Sequence, residues 1–451
     1  MQKNPIKILA CLSIVFSARI FGLMLILPVI ALYMDSYLYS NKFLLGICIG
    51  SYGLAQALLQ MPIGILSDKI GRKNTILLGL LVFMAGSLIT CYANTIYELI
   101  IGRGIQGCGA IGSTMLATVS DYSSVENRTK AMAFIGITIG ASFFFSVLLG
   151  PVIATSFGIK GILYLTFMLS IAAFLCAFLM LPNDKVLMPR VKKFSKTKLK
   201  VCFSKDLCSM YFSIWILHLC YTAIFGVIPL MLQNSLLLEL DKHGKFYFLS
   251  LVISLLLSLP AIYFVERNNI MRVLFVASIC ALAMSSLIFG YSYSGIYMVY
   301  TAMVLFFAAF TFLESLLPSL VSKYATIDSR GLVMGLFSSF QFFGIFTGGI
   351  LAGIMHYLFS LHEIFYVMSV LILLWLVLCS KIRSPNYTTK KYIATNSPCD
   401  NIVAEISSIK GIGEAKVLGG GMHVVVKVDD KVCDINALNK IFIDHNYNIM
   451  H

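Results

Sequence analysis

The sequence predicts an all-α polytopic membrane protein, with 12 transmembrane helices in two six-helix bundles and a small α+β domain of ferredoxin-like pattern at its C-terminal end. Three observations carry this. Hydrophobic residues make up 59% of the 451 and charged residues only 12%, where an ordinary soluble domain is about one quarter charged. Positive charge alternates between successive connections, and after Lys381 the sequence turns abruptly polar.

The apolar runs lie near residues 8–34, 43–66, 75–93, 95–120, 130–156, 161–181, 208–233, 246–265, 272–292, 296–322, 332–358 and 363–380. Each suffices for a hydrocarbon crossing, which takes about 20 helical residues. The first follows Lys3 and Lys7 as a signal peptide would, but it is longer than such an apolar core and no small-x-small site closes it, so a retained helix is expected. Lys and Arg fill every second connection, eight of them between Lys185 and Lys205, whereas the intervening connections hold only Lys42, Lys160, Lys242 and Lys245. Cytoplasmic loops carry this excess, which puts both termini in the cytoplasm. The net charge of +14 is therefore a topology signal. It calls for lipid headgroups near 183–206 and for no nucleic acid.

The polar stretch 183–206 divides the spans into bundles 1–182 and 207–384, leaving 385–451 as linker and soluble domain. Weak repetition links the halves: Pro62 precedes Asp68 and Lys69 as Pro260 precedes Glu266 and Arg267, and Glu126-Asn127-Arg128 matches Asp328-Ser329-Arg330. Duplicated halves are the usual frame for a midplane site. In the tail, an extended piece (391–394), a helix (401–409), strands (415–418 and 423–428) and an amphipathic helix (435–443) give an incomplete ferredoxin-like pattern.

Between spans two and three the chain reads Gly64-Ile-Leu-Ser-Asp68-Lys69-Ile-Gly71-Arg72-Lys73. Gly64 admits a neighbouring helix, Gly71 permits a tight turn, and the acid and bases supply partners for helix ends. The plainest reading is a short basic loop. In span four, Arg103 and Gln106 of Arg103-Gly-Ile-Gln106-Gly107 share a helix face, either as a coupling pair or as an interhelical clamp. Span five offers Gly140 and Gly150-Pro151, a kink or a close contact.

Together these stretches resemble the major facilitator superfamily: its signature loop in 64–73, its second motif in 103–107 and, in part, the glycine-proline motif of drug and proton antiporters, from which Ala154 and Thr155 depart. Leu27-Pro28-Val29, Asn127 to Met132 and Glu314-Ser-Leu-Leu-Pro318 extend the likeness to the bacterial YajR-type transporters, which carry a small cytoplasmic domain after the last helix. The resemblance implies proton-driven transport, read as efflux. It also implies a conformational lock in which Asp68 and Arg72 pair with Asp121 and with the start of span eleven, with Gly64, Lys69, Gly71, Lys73 and Arg128 in the same set.

Few ionisable groups stand inside the spans. Glu314, near the middle of span ten, is the first choice for proton carrier, against a protonated acid that merely bonds a neighbour. Arg19 and Arg103 set the field of a cavity or form ion pairs, and His218 is a relay or a hydrogen-bonding group. Tyr52, Gln56, Gln60, Tyr221 and Gln341 are further cavity candidates, in an interior suited to a partly apolar solute. No GxxxxGK[ST], HExxH or GxSxG pattern occurs, so neither an enzyme nor a cofactor is expected, and the proton gradient is the driving force. The 12 cysteines show no metal-ligand spacing, and His423, Cys433, His445 and His451 are too dispersed for a metal site. A monomer exporting a small solute from a bacterial inner membrane is the expectation. The alternatives are proton-linked uptake or a transporter-like sensor acting through the C-terminal domain.

Overall fold

The structure, a computed structural model, describes residues 5–123, 127–183, 202–268, 271–291, 295–326, 329–379, 387–394, 402–407, 409, 411–418, 423–429, 432–445 and 447–450. Helix α1 spans Pro5–Leu25 and is followed by a 3-10 segment, Ile30–Ser36. The predicted first span ran to residue 34. The helix stops earlier because Pro28 has no N–H to donate and its ring would strike the carbonyl four residues back.

Helices α2 (Lys42–Ile70) and α3 (Arg72–Tyr92) meet at Gly71. Helix α4 (Ile96–Cys108) begins in a capping box, with Thr95 accepting from the Glu98 N–H and the Glu98 carboxylate accepting from the Thr95 N–H at 3.0 Å. It stops at Gly109, and α5 (Gly112–Tyr122) resumes the crossing. The predicted fourth span is thus two short helices around a break.

Helix α6 (Arg128–Met180) holds two crossings in 53 residues, joined at Gly158 with φ 65° and ψ −178°. Contacts along α1 reveal the reversal. Ala131 and Ala177 both belong to the cluster around Cys11. At the other end of α1, a Cβ on Gly150 would meet the Leu25 carbonyl, and Thr166 donates to the Gly22 carbonyl at 3.1 Å.

The second half comprises α7 (Lys205–Phe225), α8 (Ile228–Asn234), α9 (Leu240–Asn268), α10 (Met271–Tyr291), α11 (Ile296–Tyr324), α12 (Arg330–Leu358) and α13 (Leu361–Cys379). Among the described residues ten continuous helical segments are long and apolar enough to cross a membrane. Helix α6 supplies two crossings and α4 with α5 one more, which gives twelve.

The halves share a rhythm. Helices α2 and α9 have 29 residues each, with Pro62 and Pro260 at the same distance from their starts, and α3 and α10 have 21 each. Inside the C-terminal half, the Trp375 indole donates to Ser213 Oγ at 3.0 Å, so this buried ring's polar edge is satisfied.

Two compact units make up the chain: Met1–Lys193, Ser209–Leu317 and Gly335–Lys381 form the first, and Phe194–Cys208, Pro318–Met334 and Ile382–His451 the second. In the second, β1 (Tyr387–Ala394), α14 (Ile402–Ser407), β2 (Ile412–Leu418), β3 (His423–Asp429), α15 (Ile435–Asp444) and β4 (Tyr447–Met450) form a four-stranded antiparallel sheet, ordered β2-β3-β1-β4, with two helices. Val424, Val426 and Val428 alternate into its core beside Ile402, Leu438 and Phe442. The stacked rings of Tyr392 and Phe442 join sheet to helix. Strand β4, which the sequence reading did not identify, completes the ferredoxin-like pattern. On β3, Lys427 is 8% exposed, and its Nζ donates to the Lys323 carbonyl at 3.0 Å and to the Ala325 carbonyl, at the end of α11. Burial lowers the Lys427 amine from its ordinary range, against the pull of Glu414, its partner on β2.

Candidate functional site

Two groups of buried polar side chains occupy the two halves. In the N-terminal half, the break at Gly109 leaves carbonyls without helical donors, and the Arg19 guanidinium donates to the Gly109 carbonyl at 2.7 Å. Arg19 lies 5.4 Å from the centre of the Phe83 ring, and Arg103 lies 5.3 Å from that of Tyr52. Arg103 donates to Gln106 Oε1 at 3.2 Å, and the Gln106 amide donates to Ser87 Oγ at 3.0 Å. Both arginines are almost wholly buried, and each Nε is unpartnered among the described residues. The expected Arg103–Gln106 pair is therefore present, and it takes the form of an interhelical clamp between α4 and α3.

In the C-terminal half, Glu314 on α11, Gln341 on α12 and His218 on α7 converge. The Gln341 amide donates to Glu314 Oε1 at 2.9 Å and lies 2.9 Å from His218 Nε2. The other ring nitrogen, Nδ1, is 3.2 Å from the Ile214 carbonyl. A carbonyl only accepts, so Nδ1 carries the hydrogen, and Nε2 of the neutral ring accepts from Gln341. Among the described residues Glu314 Oε2 has no hydrogen-bond donor, and it faces His218 Nε2 at 3.7 Å. Glu314 is the more accessible, its side chain 35% exposed against 7% for His218.

The sequence named Glu314 and His218 separately and Gln341 only as cavity lining. Their contact was hidden because the three lie on different helices. Aromatic rings flank the group: Tyr221 is 4.9 Å from Phe310, 4.8 Å from Phe225 and, across the halves, 6.0 Å from Phe143. Glu314 does not meet Arg19 or Arg103. The nearest link is Tyr52 on the arginine side, set edge-on to Phe342, the neighbour of Gln341, at 6.3 Å. Gln56 and Gln60 bond each other at 3.1 Å on α2.

At the α2–α3 junction, Arg72 donates to Asp121 at 2.9 Å, to Asp68 at 2.7 Å and to Ser67 at 2.7 Å. Asp68, Arg72 and Asp121 thus come together. Their side chains are 48%, 28% and 49% exposed, so the pairs contribute about 0–1 kcal/mol each. Lys73 donates to the Phe178 and Leu181 carbonyls at 2.9 and 2.7 Å, tying α3 to the end of α6. Lys69 is exposed. The Arg128 side chain lies outside the described residues. Gly71, at φ 93° and ψ 157°, holds a backbone conformation essentially confined to glycine.

Gly64 differs from expectation. A Cβ there would meet only the Ser113 hydroxyl at 3.4 Å, an ordinary contact with a side chain. The tight approach on α2 lies about three to five turns earlier. A Cβ on Gly50 or Gly53 would come within 2.7 Å of the Phe346 or Phe342 carbonyl, and one on Gly46 would strike the Gly349 carbonyl, all on α12. The signal was legible as small residues at helical spacing, Gly46, Gly50 and Gly53 on one helix, Gly349 and Gly353 on the other. Gly150 likewise belongs to close packing against α1, whereas a Cβ on Gly140 would meet nothing within 4 Å.

The family model of the Major Facilitator Superfamily matches residues 12–348. The chain is 32% identical over 429 residues to the inner membrane transport protein YajR of Escherichia coli (strain K12), covering 93% of this chain and 94% of that protein. It is 31% identical over 132 residues to the class H tetracycline resistance protein of Pasteurella multocida, 29% of this chain and 33% of that one. Among solved structures, a bacterial homologue of the human lysosomal transporter Spinster, inward-facing and occupied, superposes with TM-score 0.67 at 12% identity over 84% of this chain and 96% of that one.

Proposed function

Because the chain belongs to the Major Facilitator Superfamily, and is on that ground a membrane transporter, we propose that it couples proton movement to export of a small, partly apolar solute by alternating access across a bacterial inner membrane. The observation that carries the reading is the Glu314–Gln341–His218 group. It holds two protonatable side chains within reach of one amide, beside aromatic rings that suit an apolar body. The similarity to tetracycline resistance proteins favours export over uptake.

The glycine contacts between α2 and α12 support the alternating-access part. They bring the two halves into backbone contact where α2 begins and α12 ends, the end that the charge pattern assigns to the outside. In this reading that end is closed, and the Arg72–Asp68–Asp121 cluster on the opposite side, already formed within the N-terminal half, becomes the lock when it also takes up the start of span eleven as the molecule turns outward. Weak, half-exposed pairs suit a lock that must open in each cycle.

The deciding experiment is flux in proteoliposomes under an imposed pH gradient. Flux of the wild type should follow the gradient, and Glu314→Gln, which keeps the shape but cannot shed a proton, should abolish the gradient-driven part. Flux that ignores the gradient, or an unchanged mutant, overturns the coupling.

A further inference from the structure

Three sulfur atoms meet inside the N-terminal half, apart from the groups described above. Cys11 comes from α1, while Cys176 and Met180 stand one turn apart on the second crossing of α6. The Cys11 and Cys176 Sγ atoms are 3.6 Å apart, and Cys176 Sγ is 3.5 Å from Met180 Sδ. The two thiols are 165 residues apart in the chain, so no sequence spacing could reveal them. Both are free.

We propose that Cys11, Cys176 and Met180 form a binding site for a soft monovalent metal ion, Cu(I), at the end of the N-terminal half where α1 begins and α6 ends. Thiolate and thioether sulfurs select such an ion over hard cations. Three sulfurs placed about 2.3 Å from one centre, the thiolate bond length to a first-row ion, sit about 4 Å apart in a plane. The two separations from Cys176, to Cys11 and to Met180, are within about half an ångström of that. A structural zinc site would need a fourth ligand, and no group of three or more His, Cys, Asp or Glu side chains gathers among the described residues.

Charge also fits. One Cu(I) on two thiolates leaves one negative charge, and the Lys73 ammonium is held at this same end of α6 by the Phe178 and Leu181 carbonyls. Binding changes no oxidation state: the ion enters, and the two S–H protons leave. Cys11 donates to the Cys176 carbonyl at 3.6 Å, a hydrogen that the ion would displace. The ion would staple α1 to α6, the helix that lies along its length.

The test is anaerobic titration of the purified full-length protein with Cu(I) held by a chromophoric chelator. Wild type should withdraw one more equivalent than Cys11→Ala/Cys176→Ala, and Met180→Leu should retain that equivalent at lower affinity. Cu(I) should release two protons from the wild-type site and raise its unfolding temperature, and the double variant should show neither effect. Equal stoichiometry and affinity in wild type and double variant overturn the proposal. Should the double variant fail to fold, Met180→Leu decides alone: affinity equal to wild type removes the site.

Discussion

Arg19 and Arg103 lie buried with no carboxylate against them among the described residues, and their energetics explain why they persist. An arginine at the middle of a span costs roughly 2.5–3.5 kcal/mol. A desolvated ring contact returns about 2 kcal/mol, and a hydrogen bond to a charged group about 1.5–3 kcal/mol. Phe83 with the Gly109 carbonyl, and Tyr52 with Gln106, therefore balance the cost without an acid. In the proposed coupling, proton traffic therefore falls to Glu314 and His218. Gln341→Ala tests that division. Losing its amide removes hydrogen bonding worth about 1.5–3 kcal/mol, so gradient-driven flux should fall by about tenfold or more; unchanged flux would separate Gln341 from coupling. At Gly71 the prediction is thermodynamic: Gly71→Ala should destabilise the α2–α3 junction by about 1–3 kcal/mol, read as a lower unfolding temperature. Single ionisable residues within apolar runs were legible in the sequence. The Glu314–Gln341–His218 and Cys11–Cys176 meetings were not, because they depend on which faces of distant helices turn together.

Helix existence was written in hydropathy, but helix interruption was written more faintly. Pro28 ends α1, and Gly109 divides the fourth crossing. Hydropathy averages over both, since a broken helix is as apolar as an intact one. The glycine contacts of α2 and α12 make a prediction at this scale. A Cβ on Gly46 would strike the Gly349 carbonyl, backbone that cannot step aside as a side chain can. Gly46→Leu should therefore disfavour the state with this end closed. Cysteines placed at the ends of α2 and α12 should cross-link less in the variant than in the parent, and cross-linking that stays the same would show that these contacts do not gate. Gly64→Ala, with only the Ser113 hydroxyl nearby, should be close to neutral in the same assay.

For the whole molecule, the repeated helix lengths and matching prolines of α2 and α9 were visible as a faint echo in the sequence, because duplication preserves geometry longer than it preserves side chains. The soluble domain was visible as a composition change, and its last strand escaped because Tyr447–Met450 is too short to show an alternation. Lys427 gives that domain a physical hold on the end of α11, the helix that carries Glu314. Deleting 385–451 should leave flux largely intact if the domain regulates, and Lys427→Met should reproduce the deletion's effect on rate. Abolished flux with normal membrane insertion would instead make the domain part of the transport machinery.

The single residue at Gly158 also governs how the protein is made. Two helices that meet at one non-helical glycine leave almost no loop between the fifth and sixth crossings. With so short a turn, the fifth and sixth crossings are expected to enter the bilayer as a hairpin during synthesis, because no tether lets one wait for the other. An epitope or extra segment introduced at that turn would compete with insertion itself, whereas the long 183–206 connection would carry one without such a penalty.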